Sequence, residues 1–328
     1  MAQEEECQLW ENTFLNYIAS MKALVYKSTG SWYSLQDEQG RNWNGRMKGV
    51  LKLDEITSTN PVAVGDWVTI EIESDAAGTC IINEILERNN YINRQSPRHK
   101  HQHHIVAANL DQSLLVATLR EPKTSQGFID RFLVACEMYH VPAVIAFNKS
   151  DLYKEKDLVK YEAWKQMYES IGYKVLLVSA TEKEGMEQLN EALAGKTTLL
   201  SGHSGVGKSS LLNALLPGMN QKTQDVSGWS GKGQHTTTFA EMFELPFGGK
   251  VIDTPGMREF GLVDISKQEL SHYFPEMKNR LQQCQFNNCL HYNEPGCAIK
   301  EDVGTGKINE DRYISYLSIL DSIEENNY

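Results

Sequence analysis

The chain has 328 residues, enough for two or three domains with hydrophobic cores of their own. Hydrophobic residues make up 41% and charged residues 23%, ordinary values for a soluble globular protein, and no run approaches the length of a transmembrane helix. The formal net charge of −11 argues against indiscriminate binding of polyanions and leaves room for a local basic surface.

Residues 1–20 form an acidic leader carrying Glu4, Glu5, Glu6 and Glu11. It lacks the basic start and apolar run of a signal peptide, and Met21, which opens the strand-like "MKALVYKSTG", is an alternative start. Over 21–93, short β-type runs ("ALVYKS", "SWYSLQD", "NWNGRMKGVL", "DWVTIEIE", "TCIINEIL") alternate with bends at Gly30, Gly40, Gly65 and Gly78. Five short strands in so little chain predict a small closed β-barrel, an OB-fold first and a generic SH3-like barrel second. Trp32, Tyr33, Trp43 and Trp67 are either stacking platforms or barrel core. "RQSPRHKHQHH" (94–104), with two Arg, one Lys and four His, reads as a solvated basic linker.

Over 105–262 the pattern changes to apolar strands alternating with helices, which predicts a mostly parallel three-layer α/β domain. The expected strands are 113–119, 142–148, 174–180, 197–202, 240–245 and 250–254, and the expected helices 128–140, 157–171, 184–194 and 208–216. Over 263–328 the chain reads as helical at 266–282, passes through a Cys/His cluster, and ends in a helix near 308–324.

The chemistry is concentrated in the α/β segment. "GHSGVGKS", Gly202-His203-Ser204-Gly205-Val206-Gly207-Lys208-Ser209, fits a phosphate-cradling loop between a strand and a helix, with Ser210 following. Its glycines let backbone N–H groups turn toward the β-phosphate, Lys208 brings a point charge to the β/γ oxygens, and Ser209 offers a hydroxyl to Mg²⁺. Asn148-Lys149-Ser150-Asp151 follows an apolar strand, where a carboxylate pairs with guanine N1–H and N2–H₂ and is left unpaired by adenine. Ser179-Ala180 ends the next strand and supplies a backbone contact to guanine O6. Asp253-Thr254-Pro255-Gly256 supplies the carboxylate on the Mg²⁺ side and the glycine that senses the γ-phosphate. Between them, "GKGQHTTTF" (231–239) offers Thr236, Thr237 or Thr238 to Mg²⁺, with Thr237 the central choice. Together these elements predict a GTP site with magnesium.

Their order is unusual. The N-K-x-D and S-A elements precede the phosphate loop, and D-x-x-G comes last, so the domain is circularly permuted, as a cut at a surface loop and joined termini would produce. The element that responds to the γ-phosphate then runs directly into the C-terminal segment. Met257 follows the glycine where a water-orienting Gln stands in Ras-like proteins, so intrinsic hydrolysis is expected to be slow. His235 is the internal candidate for a catalytic role beside Lys208, with partner binding or simple exposure as its alternative.

"CQFNNCLHYNEPGC" gathers Cys284, Cys289, His291 and Cys297. Three thiolates and one imidazole make a closed tetrahedral set, expected to hold one structural zinc. The stretch is short and polar, so the metal is expected to supply its folding energy.

These residues together resemble the ribosome small-subunit-dependent GTPase family (RsgA, also called YjeQ or YloQ), over nearly the whole chain from Met21. The resemblance implies an OB-fold domain, a permuted GTPase and a helical zinc domain. It also implies a cytoplasmic, monomeric factor in late maturation of the small (30S) ribosomal subunit, with GTP hydrolysis stimulated by rRNA. The acidic leader is not part of the family's pattern. A nucleotide-gated scaffold that never meets ribosomes is the alternative function.

Overall fold

A computed structural model of the chain describes residues 21–47, 61–95, 103–218, 239–254 and 265–323. The described residues group into two compact units. The first takes those up to Leu110 together with 239–243 and 252–254, and the second takes the rest.

In the first unit the alternation of side chains closes a barrel. Strands β1 (Met21–Ser28), β2 (Tyr33–Asp37), β3 (Asn42–Met47), β4 (Trp67–Ser74) and β5 (Thr79–Ile85) pair in the order β1-β2-β3-β5-β4, and β4 returns to β1. All contacts are antiparallel except β3 with β5. That order is the OB-fold's, and it decides between the two barrel readings. Every second residue faces inward, giving a core of Ala23, Val25, Tyr33, Leu35, Trp43, Val68, Ile70, Cys80 and Ile82. Gly45 has no room for a side chain there, because a Cβ would stand 2.4 Å from Leu35 Cδ1. Tyr33 and Trp43 are therefore core, whereas Trp32 remains 49% exposed and Trp67 36%.

Buried charges tie the barrel's turns. Asp37 accepts from the amides of Gln39 and Arg41 and from Trp43 Nε1, each at 2.9 Å. Burial alone would raise its pKa, but these bonds, led by Trp43, hold the carboxyl below its ordinary range. Asp66, fully buried, takes both Arg88 Nε and Nη2 at 2.6 Å.

The segment read as a linker has paired ends. Strands β6 (Tyr91–Gln95) and β7 (His103–Ala108) form an antiparallel ribbon in which Arg94 faces His104 and Gln95 faces His103. The alternation of 91–95 is too short, and its polar end too basic, to be read as a strand from sequence.

In the second unit, strands β8 (Gln112–Ala117), β9 (Ala143–Phe147), β10 (Lys174–Leu177) and β11 (Thr197–Ser201) lie parallel in the order β10-β9-β8-β11. β8 is buried along its whole length, as a parallel strand covered on both faces must be. Helices α1 (Gln126–Met138), α2 (Glu155–Ser170), α3 (Met186–Leu193) and α4 (Lys208–Leu215) connect or follow these strands, each within a few residues of its predicted span. Strands β12 (Glu241–Glu244) and β13 (Lys250–Asp253) also stand where the sequence places them.

The C-terminal part departs from expectation. The helix expected at 266–282 is three short turns: Leu270–Tyr273, Pro275–Lys278 (α5) and Leu281–Gln283. Pro275 is tolerated only in a first turn, so it starts a new helix instead of continuing one. A further helix, α6 (Ala298–Gly304), follows the Cys/His cluster, and α7 (Glu310–Ser322) closes the described chain. Nor is the cluster without a core. Cys289 and Cys297 pack with Val134 of α1, Leu270, Phe274, Met277, Ile299, Ile308, Tyr316, Ile319 and Leu320. The apolar residues come from before and after the cluster, which is why its own composition hides them.

Candidate functional site

The phosphate loop follows β11 and opens α4. Gly202, Gly205 and Gly207 take φ of 138°, 84° and 95°, a region that side-chain-bearing residues avoid. Space excludes a side chain as well: a Cβ on Gly202 would stand 2.4 Å from the Val116 carbonyl oxygen, and one on Gly207 2.4 Å from Asn148 Nδ2. Lys208 Nζ donates to the carbonyls of Gly202 (2.5 Å) and His203 (3.0 Å), which aims the ammonium across the loop's mouth. Ser209 and Ser210 continue the first turn of α4, while Ser204 is exposed and Val206 fully buried under the loop.

The residues expected to read the base sit at the ends of the neighbouring parallel strands, where open α/β sheets bind ligands. Asn148, 1% exposed, donates from Nδ2 to the Val206 carbonyl (2.9 Å) and accepts at Oδ1 from the Ala180 amide (3.2 Å). One side-chain amide thus joins the 148–151 loop to the phosphate loop and to the Ser179-Ala180 turn. Lys149 adopts a left-handed φ of 64° and its ammonium donates to the Glu121 carbonyl, with burial lowering its pKa. Asp151 is exposed at the surface, oriented by the Ser179 hydroxyl at 2.5 Å. The Ser150 hydroxyl donates to Glu184 (3.0 Å), a carboxylate on the turn that follows Ser179-Ala180. Asp253 ends β13 and Thr254 follows it, both buried. His235, Thr236, Thr237, Thr238, Gly256 and Met257 lie outside the described residues.

The Cys/His loop brings together the four side chains that the spacing singles out. One ligand atom from each of Cys284, Cys289, His291 and Cys297 lies within 4.8 Å of all the others. His291 Nδ1 stands 3.6 Å from Cys284 Sγ and 3.4 Å from Cys297 Sγ. Zinc bonds of 2.3 Å to sulfur and just over 2.0 Å to nitrogen span a tetrahedral edge of ~3.6 Å, so the donor set fits that ion. Burial pushes the Cys289 thiol up to about 12 and raises that of Cys297, so a dication is what would make thiolates stable there. The loop is held from outside: Tyr313 donates to the His291 carbonyl (2.6 Å), Tyr316 to that of Leu290 (2.8 Å), and Glu294 accepts from the Leu290 and Tyr292 amides, each at 2.8 Å.

The same arrangement recurs in known proteins. The RsgA GTPase family model matches residues 85–263, and the RsgA N-terminal domain model residues 22–80. A relative from Bacteroides fragilis, named small ribosomal subunit biogenesis GTPase RsgA, is 48% identical over 308 residues, covering 94% of this chain and 99% of the relative. One of the same name from Flavobacterium psychrophilum is 47% identical over 93% of this chain and 94% of its own. The chain belongs to the RsgA GTPase family. Among solved structures, YjeQ from Thermotoga maritima superposes with a TM-score of 0.75 at 34% identity, covering 92% of this chain and 98% of that one. YloQ, described as a circularly permuted GTPase, gives 0.72 at 30% identity, covering 94% and 96%. The permuted order and the GTPase activity stand on these matches.

Several positioning residues of this RsgA-family chain are not legible as motifs. Thr124 Oγ1 lies 2.8 Å from His203 Nε2 and Phe128 meets the same imidazole edge-on at 5.3 Å, so helix α1 braces the phosphate loop. Arg312 and Asp130 are both buried, 2.6 Å apart. A charge on an apolar helical stripe is the signal that would have found them: Arg312 shares the buried face of Ser315, Tyr316, Ile319 and Leu320.

Proposed function

We propose that this GTPase acts in late maturation of the small ribosomal subunit, hydrolysing GTP when it engages the subunit's rRNA. The observation that supports this most is the near-full-length similarity to relatives named for that role, carried by a chain with OB barrel, permuted GTPase and Cys/His loop together. The barrel (21–93) and the basic segment 94–104 face RNA, 105–262 turns over the nucleotide, and 263–328 is the metal-bearing domain. Asp151 reads the guanine edge, with Asn148 and Lys149 setting its loop and the Ala180 amide contacting O6. The amides of residues 203–209 and Lys208 hold the β- and γ-phosphates. Ser209 and Thr237 would ligate Mg²⁺, which would supply charge neutralisation on the phosphates, with Asp253 as the carboxylate expected on the magnesium side. Gly256 senses the γ-phosphate, and His235 orients the attacking water that Met257 cannot. Cys284, Cys289, His291 and Cys297 hold one structural zinc ion that keeps the loop in shape without joining the chemistry.

The protein works as a cytoplasmic monomer; no helix among the described residues is long and apolar enough to cross a membrane. The test is co-sedimentation with purified small subunits. Binding is expected with a non-hydrolysable GTP analogue and weaker binding with GDP. A protein that binds the analogue yet never pellets with subunits would instead be a nucleotide-gated scaffold. His235→Ala is expected to spare nucleotide affinity and slow subunit-stimulated hydrolysis, and full activity would remove the catalytic role.

A further inference from the structure

The nucleotide loop and the Cys/His loop attach to opposite sides of one buried ionic joint. Arg312 on α7 is 1% exposed and meets two carboxylates. Its Nη1 donates to Asp130 of α1 at 2.6 Å, and its Nε and Nη2 donate to Glu276 of α5 at 2.7 and 3.2 Å. The guanidinium also stands over the Phe274 ring, 4.7 Å from its centroid, and Tyr168 of α2 donates to Asp130 Oδ1 at 2.8 Å. Asp130 Oδ2 is buried with no hydrogen-bond partner, so the carboxylate depends on those donors to its other oxygen. A buried pair of this kind is costly when half-made and holds one register when complete. It is therefore either engaged or broken.

From Asp130, α1 runs back two residues to Phe128, against His203, and its N-cap Ser125 follows the Thr124 that bonds His203 Nε2. From Arg312, α7 runs directly into Tyr313 and on to Tyr316, whose hydroxyls hold the His291 and Leu290 carbonyls. We propose that the Arg312–Asp130 joint links the two sites thermodynamically, so that metal in the Cys/His loop tightens nucleotide binding at the phosphate loop, and nucleotide tightens metal. Each ligand orders its own loop and so favours the engaged joint, and the second ligand then meets a partner already ordered. Such linkage is reciprocal by necessity. Arg312 and Asp130 are positioning residues in this scheme and touch neither ligand. The inference rests on the nucleotide and zinc sites proposed above.

The test uses the full chain, a fluorescent GDP analogue and zinc. In the wild type, stripping zinc with a chelator is expected to weaken GDP binding about fivefold or more, and saturating GDP to tighten zinc by the same factor. In Asp130→Asn, which keeps the shape but removes the charge, both ligands still bind and each shift falls below about twofold. Phe128→Leu, at the half-exposed far end of α1, is expected to lose the linkage as well and decides the matter if Asp130→Asn does not fold. Wild-type affinities that are each indifferent to the other ligand overturn the inference, as does full linkage in the variants. Failure of the wild type to bind GDP or zinc at all overturns the site assignment beneath it.

Discussion

The phosphate loop Gly202–Ser209 has its shape completed by backbone geometry and one buried amide, whereas the Cys284–Cys297 loop gathers three thiols and an imidazole whose close approach only a cation rewards. The first is built by subtraction: Gly202 and Gly207 remove side chains where the Val116 carbonyl and Asn148 press in. The second is built by addition, with Tyr313, Tyr316 and Glu294 reaching in to hold backbone groups of residues 290–292. A loop of the first kind has its shape before its anion arrives, and the anion narrows the motion left to it. A loop of the second kind has a scaffold behind it and gathers donor side chains that a cation would join.

Substitutions separate the two constructions. Lys208→Ala removes the side-chain cation bonded across the loop, and nucleotide affinity is expected to fall by about 100-fold or more with the fold intact, as titration with labelled GDP would show. Retained affinity would mean that backbone amides alone suffice. Asp151→Asn leaves the loop's architecture alone and changes only the base read. Preference is expected to move from guanine toward xanthine nucleotides by on the order of 10²-fold or more, measured by competition. Cys289→Ser is expected to abolish stoichiometric zinc by elemental analysis while GDP still binds and cooperative unfolding persists, because the loop backs onto the core formed with Leu270, Phe274 and Tyr316. Collapse of the whole second unit would show that the metal, not that core, carries its stability. Tyr316→Phe removes one support of the loop and should cost about tenfold in zinc affinity, read by chelator competition.

The barrel offers the smallest effect and a contrast free of either ligand. Asp37 has its pKa lowered by folding, so its stabilisation is present above the ordinary carboxylate pKa and is lost as pH falls through the lowered folded value. Asp37→Asn should cost about 1.5–3 kcal/mol at neutral pH, by denaturant unfolding, and flatten that acid-side loss. An unchanged acid limb would locate the pH dependence elsewhere.

The same contrast governs how much of the molecule is legible in the sequence. The phosphate loop, Asn148-Lys149-Ser150-Asp151 and Ser179-Ala180 are contiguous in sequence because backbone geometry demands particular residues side by side, and their strands were placed within a few positions. The Cys284, Cys289, His291 and Cys297 cluster is legible for a similar reason, since one loop supplies all four side chains. The OB-fold barrel is legible as the leading expectation, but the β6–β7 ribbon and the core behind the Cys/His loop are not, because each depends on partners apart in the chain. Asp130 and Arg312 are 182 residues apart, and neither looks unusual until its helical face is drawn. Pro275 could have warned that 266–282 is broken, since a proline inside a helix interrupts its bonding.

Dependence of turnover on the small ribosomal subunit is what sets the proposed function apart from a free-standing GTPase. The deciding measurement is the single-turnover rate of GTP hydrolysis with and without purified small subunits. Slow hydrolysis is expected for the protein alone, with an increase of at least about tenfold with small subunits, absent with large subunits. A rate unaffected by small subunits, or raised equally by large ones, would contradict that dependence.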